Sequence, residues 1–542
     1  MRTSIKIFAI LMVMVMLITV LSGCNPTTKV APEESDQQAP TTESIPQAAT
    51  TKPLPEVKAK DSLVMLSAES FTGSWDPTGH TVLANLHLEQ LVFDHLWEVD
   101  WASGSTDYVP RLANSWKYLE DGVTLEITLK TGIKFHDGTD FNAEDVAASA
   151  ERYSDPTRPM GFFWAEPIIA TVIDPVTVRL TTKSGQPYAP LINNLSFISM
   201  MSSDDIKDEA RLKAGLNGTG AFKFVSYENE QVNLVSNENY WEKAPQIKTI
   251  TFRYVADPAT RLAALQSGEA DLIERVDSEQ IPMIEADSNL EMITLPSIEQ
   301  KSLVFKWQVP PVQEALVRQA ISYAIDRETI VKDIMQGYAI VADSFVSPVA
   351  WGYASAKGFP TYDPAKAKDL LVQAGYPDGQ GLPELTYLTS VGFYPKTKEY
   401  GEFIVSNLAD VGIKCTLVPM ETASWLNALY TPTSGNMVDA GWMPPALEPD
   451  MTLAALYKNP GLTTGGGDPR INEVLLNESR MVDPEKRATY LKAVVFPLIA
   501  EVVPQLPLFN SMLMYAKNKD LQGFSPAFTS DLSSIRNAYF VK

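Results

Sequence analysis

Segments that predict strands and segments that predict helices alternate irregularly along this chain of 542 residues. Residues 123–130 and 248–255 alternate apolar and polar side chains, which is typical of half-buried strands. Asn142 and Asp145 predict the capped start of a helix. Residues 312–336 predict a long helix, because prolines precede this segment and a glycine follows it. Such a chain is too long for one core, so we expect an α/β protein of several domains with mixed sheets.

The first 24 residues have the layout of an export signal. Arg2 and Lys6 precede an apolar run at residues 7–21, which is shorter than the roughly 20 residues of a membrane span. Small residues then lead to Cys24, and this ending resembles the bacterial lipoprotein signal, in which the cysteine is lipidated. We predict a signal peptide at residues 1–23, lipidation of Cys24 and a place on the outer face of the cell membrane. An ordinary cleaved signal with a chance cysteine is the alternative.

Composition restricts the function of the rest of the chain. Residues 24–60 are rich in Pro, Thr, Gln and Glu, so we expect a disordered linker after the lipidated cysteine. The formal net charge of −22 argues against a nucleic-acid partner, because an acidic surface repels phosphates. Cys415 is the only other cysteine and lies in a predicted strand, where we interpret it as a small buried hydrophobe.

Sequence signatures of catalysis and metal binding are missing. The chain has no glycine-rich phosphate loop, no His-Glu-x-x-His motif and no Gly-x-Ser-x-Gly motif. Its four histidines lack the i, i+4 spacing that closes on a metal ion. We therefore predict neither an enzyme nor a bound metal or cofactor.

Several segments resemble one family in their order along the chain. The resemblance is to the extracytoplasmic solute-binding proteins of peptide and nickel ABC importers, and it covers nearly all of residues 61–542. The matching segments are residues 108–116, 132–146, 218–224, 239–241, 261–271, 317–327 and 362–371.

This resemblance implies a two-lobed fold around a cleft, with two crossovers between the lobes and an extra subdomain on lobe one. Closure of the lobes around a ligand would be a hinge motion. The implied boundaries are about 61–297 plus 505–542 for lobe one, 82–214 for its subdomain, 298–504 for lobe two, and crossovers near 295–298 and 504–507.

Residues 441–445 are the best candidate for a ligand contact, because the resemblance places them in the cleft wall. Trp442 has neighbours that cannot form a regular helix, so we expect its ring in a fixed loop. In peptide-binding members an Asp three residues after this Trp pairs with the α-amino group of the ligand. Pro445 stands there in this chain, which puts that anchoring in doubt. Glu448 or Asp450 could supply the carboxylate, or both could be solvated loop charges.

Other candidates are aromatic side chains in predicted loops, together with one histidine. Aromatic rings offer stacking surface at a small entropic cost, although each of these residues could instead be packing. These candidates are Trp425, His80, Trp351, Tyr394 and Phe163.

The sequence therefore predicts a lipid-anchored receptor without catalytic activity. We expect a monomer that captures a peptide or peptide-sized solute and delivers it to the permease subunits of an ABC transporter. A receptor for chelated nickel or another non-peptide solute is the first alternative. An extracytoplasmic hydrolase on a two-lobed scaffold is the second.

Overall fold

The computed structural model describes residues 60–100, 107–391 and 393–541. The predicted signal peptide, Cys24 and nearly all of the predicted linker lie outside these described residues. Within the described part of the chain, no helix combines the length and the apolar character needed to cross a bilayer.

Strands form one large mixed sheet, one smaller antiparallel sheet and two short pairs. The large sheet has the order β15-β14-β16-β12-β17-β11-β1-β10-β9-β8, and β13 pairs with β17 beside this path. The strands are β1 (Ser62–Ser67), β2 (Trp97–Val99), β3 (Tyr108–Pro110), β4 (Ala113–Tyr118), β5 (Leu125–Leu129), β6 (Ile168–Asp174), β7 (Thr177–Thr182), β8 (Phe222–Glu228), β9 (Gln231–Ser236), β10 (Thr249–Tyr254), β11 (Leu272–Glu274), β12 (Leu290–Phe305), β13 (Ile340–Val341), β14 (Leu385–Ser390), β15 (Cys415–Met420), β16 (Met437–Trp442), β17 (Gln505–Asn518), β18 (Leu521–Gln522) and β19 (Tyr539–Phe540).

Helices cover the sheets and fill the connections between strands. They are α1 (Leu83–Val92), α2 (Ala143–Tyr153), α3 (Leu191–Leu195), α4 (Ser203–Lys207), α5 (Glu209–Ala214), α6 (Pro258–Ser267), α7 (Ile281–Ala286), α8 (Ala315–Ala324), α9 (Arg327–Thr329), α10 (Pro364–Gln373), α11 (Thr397–Asp410), α12 (Thr422–Tyr430), α13 (Asp450–Leu456), α14 (Pro469–Ser479), α15 (Pro484–Tyr490) and α16 (Phe496–Val502).

Two long antiparallel strands, β12 and β17, connect the two halves of the large sheet. Residues 290–296 of β12 pair with β17 in the half that also contains β11 and β1. Residues 300–304 pair with β17 in the half that contains β16, after a register shift between Pro296 and Gln300. The crossover segment expected near 295–298 lies at this shift. The segment expected near 504–507 lies at the start of β17.

The smaller antiparallel sheet, ordered β4-β5-β7-β6, packs against α2. The side chain of Asn142 accepts a hydrogen bond from the Glu144 amide at 2.8 Å. The Asp145 carboxylate accepts one from the Asn142 amide, also at 2.8 Å. These two bonds confirm the predicted helix start. The sheet and α2 lie within the residues expected to form the extra subdomain.

The prediction of one continuous helix over residues 312–336 is wrong. Helix α8 ends before Ile325, whose backbone is extended. The Asp326 side chain then accepts a hydrogen bond from the Thr329 amide at 3.0 Å and caps α9. A single turn of π-helix follows at residues 330–334. The Asp326 carboxylate thus caps the start of α9, and this local hydrogen bond favours a break between α8 and α9.

The core fills both faces of the large sheet because side chains alternate along each strand. Leu63 and Met65 of β1 belong to the main apolar cluster, together with Phe252 of β10. Leu66 faces a smaller cluster on the other side, which includes Leu265 of α6. This packing holds the ends of β1 and β11 in a fixed position.

Cys415 opens strand β15, which confirms the predicted strand. Its side chain is half-buried, and burial raises the pKa of the thiol to about 12. The thiol therefore stays protonated at neutral pH, which does not suit a nucleophile.

Candidate ligand-binding cavity

A cavity of about 620 Å³ lies between the two halves of the large sheet. One wall consists of residues 68–72 together with positions between 254 and 277. The opposite wall consists of residues 393–395 and Thr422. This volume is in the range of small-molecule sites in proteins, and such sites often lie between domains. We call this space the interlobe cavity.

Glu69 is a buried acid in the first wall of the interlobe cavity. Its amide donates a hydrogen bond to the Ser67 hydroxyl at 3.1 Å. Its carboxylate accepts one from the Ala84 amide, in the first turn of α1, at 3.2 Å. Burial raises the pKa of Glu69 to about 8, although the Arg275 guanidinium opposes this rise.

Arg275 stands beside Glu69 and follows β11 directly. Its φ of 51° is in the left-handed region, which is rare for a residue with a side chain. Arg261 fixes this backbone, because its guanidinium donates hydrogen bonds to the Glu274 carbonyl at 3.2 Å and to the Arg275 carbonyl at 2.8 Å. The Arg275 Nη2 atom lies 3.9 Å from the Glu69 Oε2 atom.

Tyr394 lines the opposite wall, and its ring packs against the buried ammonium of Lys301. Its hydroxyl accepts a hydrogen bond from the Gly441 amide at 3.1 Å. The Lys301 ammonium lies 2.6 Å from the centre of the tyrosine ring and 3.4 Å from the Glu299 carboxylate. Burial lowers the pKa of Lys301 to about 8. A Cβ atom on Gly441 would lie 2.7 Å from the Lys301 ammonium, so a larger residue here would make that side chain shift.

Trp425 lies behind the wall of the interlobe cavity and is fully buried. Its ring packs against Phe393 at 4.7 Å and Tyr394 at 5.6 Å between ring centres. Its Nε1 atom donates a hydrogen bond to the Asp439 carboxylate at 3.1 Å. The predicted loop around Trp425 is wrong, because the residue lies in α12 and its ring completes the core under β16.

Trp442 is the last residue of β16, so its predicted loop placement is also wrong. The strand continues to this residue because Trp442 pairs with Gln300 of β12. The buried indole donates a hydrogen bond to the Met451 carbonyl at 3.2 Å. Its ring lies 6.2 Å from that of Phe163, which belongs to the expected subdomain.

Phe163 and Pro445 line a second cavity of only about 70 Å³. Glu89 lines it too, and the His80 Nε2 atom lies 2.9 Å from the Glu89 carboxylate. Burial raises the pKa of Glu89. Pro445 and the His80 partner Glu89 therefore belong to the small cavity, and neither Pro445 nor His80 lines the interlobe cavity.

Glu448, Asp450 and Trp351 come together around Arg487. Two nitrogens of Arg487 donate to the Glu448 carboxylate, one of them at 3.0 Å. The Asp450 amide donates to the same carboxylate at 3.0 Å, and the Trp351 ring lies 4.9 Å from the guanidinium carbon. Glu448 is 1% exposed and Asp450 is 7% exposed. The interpretation of both acids as solvated loop charges is therefore wrong.

Sequence reasoning missed Glu69 and Arg275 because neither belongs to a recognisable motif. A signal was nevertheless present, since each residue follows a short apolar strand within two positions. Strands β1 and β11 are parallel neighbours, so their carboxyl ends meet at the same edge of the sheet. Ligands of α/β proteins commonly bind at that edge.

No cluster of His, Cys, Asp and Glu side chains suited to a metal ion occurs within residues 60–100, 107–391 and 393–541.

Two lobes joined by two long strands, with a cavity between them, define a two-lobed solute-binding protein. The family model for bacterial extracellular solute-binding proteins, family 5 middle, matches residues 107–463. This chain therefore belongs to the bacterial extracellular solute-binding proteins of family 5, which are receptors and not enzymes.

Individual proteins agree with this assignment. The glutathione-binding protein GsiB is 33% identical over 430 residues in both Shigella dysenteriae serotype 1 and Escherichia coli strain K12, which is 76% of this chain and 82% of each relative. A dipeptide-binding protein from Pseudoalteromonas sp. SM9913, solved with Met-Leu, has a TM-score of 0.75 at 21% identity and covers 88% of this chain and 100% of its own. NikZ from Campylobacter jejuni, solved with Ni(L-His), has a TM-score of 0.76 at 22% identity, with 89% and 100% coverage. The expected two-lobed α/β fold is confirmed.

Proposed function

We propose that this protein is a lipid-anchored extracytoplasmic receptor that captures a peptide or peptide-sized solute in the interlobe cavity and delivers it to an ABC transporter permease. This proposal rests on one observation, namely that the two walls of the interlobe cavity come from different lobes. Glu69 and Arg275 belong to one lobe, while Phe393 and Tyr394 belong to the other. A solute held by both walls would favour the closed arrangement of the lobes, because it gains contacts that the open arrangement lacks.

A short peptide suits the chemistry of these walls. One side offers an acid beside a guanidinium, and the other offers aromatic rings on which apolar groups can pack. The relatives named for glutathione support a tripeptide-sized solute. A micromolar dissociation constant would correspond to about −8 kcal/mol, which one buried cavity of this kind can supply.

The lipid on Cys24 would hold the receptor near its importer. A flexible linker between the lipid and the lobes would leave them free to rotate while raising their effective concentration at the permease. The protein would act as a monomer, since one chain supplies both walls of the interlobe cavity.

A thermal-shift panel tests the captured solute. The probes are reduced glutathione, the dipeptide Met-Leu, a nickel–histidine complex and maltose, each added to the purified full chain. A bound solute raises the unfolding temperature by mass action, and at about 100 times its dissociation constant it adds about 2.7 kcal/mol. We expect a shift with glutathione or the dipeptide and none with maltose.

A pair of variants locates the binding event. Thr422→Trp would fill part of the interlobe cavity, whereas Thr433→Trp would place the same ring on an exposed position of the same lobe. We expect the first variant to lose the shift and the second to keep it. A shift with the nickel complex alone would contradict the peptide proposal, and consumption of the probe would indicate an enzyme.

A further inference from the structure

Four charged side chains line the interlobe cavity, and two of them, Arg261 and Asp277, hold the backbone. Arg261 donates to four backbone carbonyls, of which the Ala256 and Arg275 carbonyls lie at 2.7 and 2.8 Å. The Asp277 side chain caps the short turn at residues 278–280. These two side chains hold the backbone and have little capacity for a ligand.

Glu69 and Arg275 differ from that pair because they face each other at 3.9 Å, beyond hydrogen-bond distance. A carboxylate can accept several hydrogen bonds, so Glu69 can take a ligand ammonium besides the Ala84 amide. A guanidinium has several donors in a planar fork, so Arg275 can bond a carboxylate in addition to its contacts with the protein. The cavity thus offers one anionic group and one cationic group that are neighbours.

The spacing of these two groups restricts the ligand. Neighbouring partners of opposite charge match a zwitterion whose ammonium and carboxylate sit on one carbon. An α-linked tripeptide carries these charges at opposite ends, and each residue separates its α-carbons by about 3.8 Å. A γ-glutamyl peptide instead keeps its free amine and its free carboxylate on the same α-carbon. The pair therefore favours ligands with an intact α-amino-acid head.

We propose that Glu69 and Arg275 form a subsite for the α-amino-acid head of the solute, with Glu69 on its ammonium and Arg275 on its carboxylate. This inference rests on the proposed function and specifies the chemical class of the captured solute. The left-handed backbone of Arg275 supports it, because strained conformations that the surroundings hold in place concentrate at binding sites. Both residues approach the cavity from the same lobe, so the subsite exists before the lobes close.

Calorimetric titration of the unmodified full chain tests the subsite without any mutation. The probes are reduced glutathione, its α-linked isomer Glu-Cys-Gly, N-acetylated glutathione and the dipeptide Met-Leu, all in reducing buffer. Loss of a hydrogen bond to a charged group costs about 1.5–3 kcal/mol, or about ten- to hundredfold in affinity. We expect the α-linked isomer and the acetylated peptide to bind about ten- to hundredfold more weakly than glutathione.

Two variants then assign each charge. Glu69→Gln should reduce the difference between glutathione and its acetylated form to about threefold or less. Arg275→Gln should remove most of the preference for the γ-linked peptide over its α-linked isomer. The matched controls Glu473→Gln and Arg480→Gln alter exposed side chains of the other lobe and should keep both preferences.

The outcomes separate the subsite from the proposed function. Equal binding of the γ-linked and α-linked peptides by the full chain would overturn the subsite, while the receptor function would stand. Preferences that survive in both variants would do the same. If glutathione fails to bind and Met-Leu binds, the subsite is wrong and a peptide receptor remains. If no peptide binds, both proposals are wrong.

Discussion

Two buried acid–arginine groups in this protein have the same composition but different geometry. Arg487 donates to the carboxylates of Glu448 and Glu478, the latter at 2.6 Å, and all three residues are at most 2% exposed. Arg275 stands 3.9 Å from Glu69, and both line a cavity of about 620 Å³. The first group is closed by hydrogen bonds within the protein, whereas the second lines a cavity.

This difference shows that residue type alone cannot distinguish an ion pair that holds the fold together from one that lines a cavity. The Arg487 group ties the chain after β16 to α14 and α15, and Asn193 of the expected subdomain also donates to Glu448. It serves the fold because its bonds end within the protein. Under the proposal above, Glu69 and Arg275 would serve a ligand, because both residues line the interlobe cavity.

The largest expected effect follows from removing the cation of the closed group. Arg487→Gln would leave Glu448 and Glu478 buried without their partner, which typically costs about 3–5 kcal/mol. Arg275→Gln should cost less, because Arg275 lies 3.9 Å from Glu69, whereas Arg487 donates hydrogen bonds to two carboxylates. Urea unfolding of the full chain, followed by tryptophan fluorescence, measures both losses. Equal losses would contradict the distinction between the two groups.

The second prediction concerns pH. Burial raises the folded-state pKa of Glu69 from the ordinary 4.5 to about 8, with Arg275 and Glu274 as the charged groups that face it. The folded protein therefore holds a proton that the unfolded chain releases above about pH 4.5. Stability should fall as pH rises from about 4.5 to 8, by at most about 1.4 kcal/mol per pH unit for this one group.

Glu69→Gln should flatten this pH dependence, because the amide cannot ionise. Thermal unfolding at a series of pH values measures the slope, and Glu473→Gln is the control at an exposed site. A ligand ammonium favours the charged form of Glu69, so the affinity for glutathione should rise with pH up to about 8. An affinity that falls over this interval would contradict the role given to Glu69.

A smaller effect is expected from an exposed ion pair between the lobes. The Lys396 ammonium lies 2.8 Å from the Glu279 carboxylate, and the acid is largely exposed. Solvent screens such pairs, so Lys396→Gln should cost less than about 1 kcal/mol. Lys398→Gln is the matched control, because its partner Glu402 lies on the same helix. If Lys396→Gln lost as much stability as Arg487→Gln, exposure to solvent would not explain the difference between the two ion pairs.

The smallest effect on the lobes is expected from Cys24→Ala. This change removes the predicted lipid and touches neither acid–arginine group, so affinity for glutathione should stay within about twofold of the original value. Fractionation of cells should find the variant released from the membrane, and solute uptake should fall. Weakened binding by the released protein would contradict this separation of anchor and cavity.

Local signals in the sequence predicted much of the fold. Asn142 and Asp145 predicted the start of α2, because capping bonds join residues within three positions of each other. Alternation of apolar and polar residues predicted β5 and β10, because this pattern also involves only neighbouring residues. The break in the helix at Ile325 was missed, because the prediction used the residues that flank the segment and not the Asp326 cap inside it.

The candidate site was less predictable than the fold. Tyr394 lies on the interlobe cavity and Trp425 lies directly behind it, but Trp442 and Glu448 lie elsewhere. An aromatic or acidic residue in the sequence shows neither its burial nor its partner. The two residues that we assign to the ligand are 206 positions apart and meet only because β1 and β11 are parallel neighbours.

The sequence by itself determined the family, the α/β class and the expectation of an anchored receptor, because those follow from residue order and short-range spacing. Only the tertiary structure decided which charged residues line the interlobe cavity. Glu448 looked available in the sequence and proved to be bonded to Arg487, while Glu69 had no distinguishing signal and proved to line the cavity. Whether a charge is free to bind depends on partners distant in the chain, and only folding brings those partners together.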